Sequence, residues 1–162
     1  MAAVGRSFFV WRKALYVTTR GVRNNNPGNI DYNPRNQWQG QLPHDPSIEK
    51  RFARFDTPEN GIRALARLIL VYRGKDGMPN VGRRGIDTVR EIITRWAPGV
   101  ENNTEAYIKA VSSSLAVKPE SSLDLHSPLI LVALATCIIR HENGVVPYQT
   151  EVIEDGIARA LR

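Results

Sequence analysis

The chain has 162 residues, 42% of them apolar and 23% charged, and carries a net charge of +6. That length accommodates one domain with a sizeable core, and no run approaches the ~18 uninterrupted apolar residues of a membrane-spanning helix. Cys137 is the single cysteine, which excludes an intramolecular disulfide, and His44, His126 and His141 have no cysteine partners at ligand spacing; no metal or cofactor is expected. A basic balance favours a polyanionic partner: nucleic acid, an anionic membrane or the acidic polymers of a bacterial wall.

Residues 1–20, "MAAVGRSFFVWRKALYVTTR", look at first like an export signal. Arg12 and Lys13 interrupt the hydrophobic centre and no small-residue cleavage site follows, so they are read as a short helical or partly disordered extension. Residues 21–162 are expected to form one domain. "GVRNNNPGNIDYNPRNQWQG" is dense in Asn, Gly and Pro, residues that build turns and tolerate positive φ. In "IEKRFARF" the alternation has weak strand character and predicts a small hairpin with the region around Trp38.

Helical signals dominate the rest. Thr57-Pro58-Glu59 supplies a cap, a proline at the first helical position and a first-turn acid, and Ile62, Leu65, Leu68, Ile69 and Tyr72 recur at helical spacing. A second helix is predicted over Asp87 to Trp96, ended by Pro98-Gly99, and a third from Asn103 or Thr104 through Leu115. Ser127-Pro128 opens "LILVALATCII", apolar on all sides and so expected to be the central buried helix. A last helix covers about Thr150 to Leu161. The fold class is therefore mainly α, with one small β excursion between residues 30 and 56 and a groove between two lobes.

The apolar run ends in Arg140-His141-Glu142-Asn143-Gly144. Glycoside cleavage needs a carboxyl that keeps its proton beside the leaving oxygen, and partial burial against apolar groups favours the protonated form. Glu142, at the mouth of a buried helix, meets that need. A two-acid mechanism requires a second carboxylate, for which Asp45, Glu49 and Glu101 are candidates without a spacing that separates them from surface acids. Asn24, Asn25, Asn26 and Asn29 are candidates for hydrogen bonds to sugar acetamido groups, with turn formation the competing role. Trp38 and Tyr107 are candidates for stacking on sugar faces, against the commoner role of aromatics in a core.

Asn26-Pro27-Gly28-Asn29-Ile30, Trp38-Gln39-Gly40, Arg51-Phe52-Ala53-Arg54-Phe55 and "RWAPGVENNTEAY" stand in order along the chain. This series resembles the glucosaminidase family that includes flagellar peptidoglycan hydrolases, within the lysozyme-like superfamily. In that family a buried helix ending in a catalytic Glu precedes the Asn-rich turn. Here its counterpart is "ALATCIIRHENG" at the other end, so the resemblance implies a circularly permuted lysozyme-like domain with Glu142 as its catalytic acid. "RGVRNNNPGNI" also resembles small bacteriophage and prophage proteins described as virion or structural proteins, over roughly residues 21–157.

Together these imply a phage enzyme, endolysin or virion-associated lysin, that cleaves peptidoglycan glycan strands as a lysozyme, glucosaminidase or lytic transglycosylase. Peptidoglycan is the expected partner, with other virion proteins alongside. Such an enzyme is placed in the virion, or in the host cytoplasm before release to the wall, as a monomer. The alternative is a non-catalytic virion structural or wall-binding protein of the same fold. Nucleic-acid binding through the arginines of residues 63–84 has no recognised motif behind it and ranks last.

Overall fold

The computed structural model describes residues 18–72, 85–98 and 103–162. Thr19 caps a single turn, α1 (Arg20–Arg23), by accepting the Val22 amide, a helix too short to leave a periodic signature in the sequence. Thr19 and Arg20, assigned to the extension by composition, are docked: Thr19 donates to Asn143 Oδ1 at 2.6 Å, and Arg20 grips Glu49 with two bonds of 2.7 Å.

α2 (Pro58–Tyr72) begins where the capping signals place it, with Thr57 Oγ1 accepting the Asn60 amide at 3.3 Å. Ile62, Leu65 and Ile69 are fully buried along one face. α3 (Val89–Trp96) starts with a reciprocal capping box between Thr88 and Glu91. α4 (Thr104–Leu115) is capped by Asn103, and α5 (Pro128–Asn143) runs from a first-turn proline to Gly144 at φ 74°. α6 (Thr150–Leu161) closes the fold against α2. The two axes come together at Gly156, where a Cβ would stand 2.6 Å from Ile62 Cγ2.

α5 packs against α1, α2, α4 and α6, as expected of a central helix. It is not enclosed on all sides, however. Leu131, Leu134, Ile138 and Ile139 are fully buried, whereas Leu129 is 78% exposed and Ile130, Val132 and Cys137 are half-buried. Its apolar surface is wider than the stripe its neighbours cover.

The expected hairpin is reduced to isolated antiparallel bridges. Residues 51–56 lie between 30–32 and 40–42, bridged at Asp31–Phe52 and Gln41–Phe55. Asparagines take the places a longer ladder would need. Asn26 Nδ2 donates to Ala53 O, Asn25 Nδ2 donates to Phe55 O, and the Phe55 amide donates to Asn24 O. One hydrophobic cluster draws residues from Ile30 to Ala160, so the small β region and the helices share a core.

Candidate active site

The end of α5 is fastened before its carboxylate is positioned. Asn143, 7% exposed, donates to Pro27 O at 2.8 Å and to Ile139 O at 2.9 Å while accepting from Thr19. These bonds tie the helix terminus to the Asn-rich turn, so the neighbouring Glu142 meets that turn. Asn29 Nδ2 donates to Glu142 Oε2 at 3.1 Å, across 113 residues of sequence. Asn29 holds φ 50°, a left-handed conformation that asparagine tolerates better than most side chains. Gly21 permits the approach: a Cβ there would stand 2.7 Å from Asn143 Oδ1 and 2.8 Å from Asn29 Oδ1.

Glu142 and Asn29 lie on the wall of a cleft of about 680 Å³, together with Asp31, Tyr32, Asn33, Asn36, Arg51, Tyr72, Arg95 and Trp96. Half-buried Glu142 comes from the helical side and the 28–36 segment from the other. Asp31 is the other carboxylate of this lining, 63% exposed and paired with Arg51 at 2.8 Å. Arg95, over the Tyr72 ring at 6.0 Å, has no carboxylate partner among the described residues. Asp31 and Tyr32 directly follow the turn in sequence, which was the signal available for them. Arg95 and Trp96 arrive through the end of α3; they open "RWAPGVENNTEAY", where only the family resemblance, and no periodicity, set them apart.

The other candidates separate. Tyr107 lies close to Glu142 but is 1% exposed, and one face of its ring is covered by His141 at 3.4 Å between centroids and 8° between planes. It therefore supports α5 rather than offering a ring to a sugar. Burial, and then the charge of Glu142, push its phenol above the ordinary range, and its hydroxyl has no partner among the described residues. Trp38 packs half-buried against the core and does not line the cleft.

Asn24 and Asn26 are buried and committed to the fold, not to a ligand: Asn24 donates to Glu49 at 3.0 Å, and Asn26 bonds Ile30 and Ala53. Asn25, at φ 49°, holds the carbonyl of Phe55. Asn29 spends its amide on Glu142, and its Oδ1 is buried without a donor among the described residues.

Asp45 closes a local turn by accepting from Ser47 Oγ at 2.6 Å and Ser47 N at 2.9 Å, bonds that lower its pKa, and it does not line the cleft. Glu49, 4% exposed, is a buried structural anion. The Arg20 guanidinium, aided by the Arg51 amide, Asn24 and the Phe52 amide, holds it well below the usual carboxylate range despite desolvation. Glu101 lies outside the described residues, as do residues 1–17 and the Gly-rich loop after Tyr72.

The class defined by this fold and site is a small, mainly helical domain whose cleft presents one asparagine-bound glutamate. No protein-family model matches the chain. Over 158 residues, 96% of the chain and 89% of the relative, it is 35% identical to Protein P5 of Pseudoalteromonas phage PM2. The chain belongs to the family of that phage protein, which bears out the phage part of the expectation.

Proposed function

We propose that the protein is a phage lysin that cleaves the glycan strands of peptidoglycan with Glu142 as acid and then base, on a circularly permuted lysozyme-like domain. The observation that carries this reading is the Asn29–Glu142 bond of 3.1 Å, which joins the two ends of the permuted motif inside the cleft. Glu142 donates its proton to the glycosidic oxygen as the C1–O bond breaks. The resulting carboxylate then takes a proton from the hydroxyl that attacks C1, either water or the sugar's own 6-hydroxyl. Asp31 is exposed and tied to Arg51, which favours the route through the substrate's own hydroxyl, with a single carboxylate serving both steps. Trp96, Asn33 and Asn36 are assigned to sugar contact, since they line the cleft where Trp38, Asn24 and Asn26 do not.

Before release to the wall the enzyme resides in the virion or host cytoplasm, with no described helix long and apolar enough to cross a membrane. Mass spectrometry of purified sacculi incubated with the protein tests this. Soluble muropeptides ending in 1,6-anhydro sugars are expected, and reducing ends would indicate hydrolysis instead. Co-sedimentation with sacculi and no released sugar would replace the enzyme by a wall-binding virion protein.

A further inference from the structure

A second concave site, sharing no lining residue with the cleft, lies where α2 and α6 meet the loop after Trp38. It encloses about 500 Å³ and is lined by Gln39, Arg63, Asp155, Arg159 and Arg162. The guanidiniums differ in how they are held. Arg159 is fixed from two sides, pairing with Asp155 at 2.7 Å and donating to Asn60 Oδ1 at 3.1 Å. Asn60 is itself 6% exposed and bound to Asp56 at 2.8 Å, so Arg159 is braced by the core. Arg63 has no such partner: its Nε is buried and unbonded among the described residues. Burial, and then the charge of Arg67, push its guanidinium below the ordinary value. Arg162 spends only its Nε, on Ala158 O at 3.4 Å.

Three guanidiniums thus line one pocket, from α2, α6 and the residue that follows α6, and the lining offers one side-chain carboxylate, already engaged by Arg159. A desolvated donor beside unneutralised like charge is costly unless an anion completes it. A carboxylate holds its two oxygens in one plane, whereas the oxygens of a phosphate are set tetrahedrally and can meet guanidinium forks from several directions. We infer that this pocket binds a phosphate group, supplied either as free phosphate or as a phospholipid headgroup.

Inorganic phosphate, titrated against sodium chloride at equal ionic strength, is expected to raise the thermal midpoint of the wild type, because a ligand bound only by the native state stabilises it. Arg63→Gln and Arg162→Gln should each weaken that response about tenfold in phosphate concentration. Arg35→Gln, the same charge change at an exposed site outside the pocket, should retain it. Arg162 is exposed, so its substitution remains readable if Arg63→Gln fails to fold.

In a second arm, vesicles of phosphatidylcholine with and without phosphatidylglycerol are sedimented with wild type and Arg162→Gln. Phosphatidylglycerol-dependent binding lost in the variant assigns the phosphate to a lipid headgroup. A midpoint response without vesicle binding assigns it to the free ion. Equal responses in all three variants, or no excess over chloride together with no vesicle binding, would overturn the site.

Discussion

At the residue scale, the cleft is set by asparagines of one composition doing different work. Asn143 anchors the helix end, Asn29 orients the carboxylate, Asn24 holds Glu49, and Asn25 and Asn26 stand in for strand partners. Nothing in "NNNPGN" distinguishes these roles, because the side chains are identical and only tertiary neighbours separate them. Tyr107, beside them, keeps a buried hydroxyl with no partner among the described residues. An unpartnered buried hydroxyl costs stability, so Tyr107→Phe should leave the free energy of urea unfolding unchanged or raise it by up to about 1 kcal/mol. A loss larger than that would mean the hydroxyl has a partner in the folded protein.

At the element scale, α2, α3 and α4 were legible because each combines a side-chain cap with apolar residues at helical spacing, and α5 and α6, whose N-cap side chains make no capping bond, through their apolar residues. α1 was not, since four residues carry no period; the hairpin pairing of 40–42 with 54–56 is kept at a single bridge, and on the opposite edge of that segment the Asn25 and Asn26 side chains take the carbonyls of Phe55 and Ala53. The capping box of α3 holds the start of the helix whose far end delivers Arg95 and Trp96 to the cleft. Thr88→Ala should therefore cost about 1 kcal/mol, read as a midpoint lowered by roughly 3 °C in calorimetry. No change would show that the tertiary contacts around Asp87 and Leu123, not the cap, hold that terminus.

At the scale of the whole molecule, two long-range ties bring the start of the fold onto the rest: Thr19 to Asn143, and Arg20 to Glu49. Glu49 has a depressed pKa in the folded state, so its contribution is present above the unfolded value near 4.5 and is lost as pH falls below it. Glu49→Gln should destabilise the protein by roughly 2 kcal/mol at neutral pH, through the weakened charge-assisted bonds to the carboxylate rather than through a stranded buried charge, since Arg20 is half-exposed. It should also flatten the acid limb of a stability–pH curve below about pH 4.5. An unchanged acid limb would contradict the assigned role.

The meeting of Asn29 with Glu142 belongs to this scale as well. Spacing along the chain carried no information about it. It was accessible only through the resemblance to a lysozyme-like domain with its catalytic helix moved to the other end. The reading of the cleft as an active site stands or falls on the glutamate at that meeting point. The direct measurement is the rate of release from dye-labelled sacculi by the wild type and by Glu142→Gln, with equal folding verified by circular dichroism. Loss of the general acid should lower the rate by at least about a hundredfold. Equal rates in the two proteins, or no release by the wild type, would contradict it.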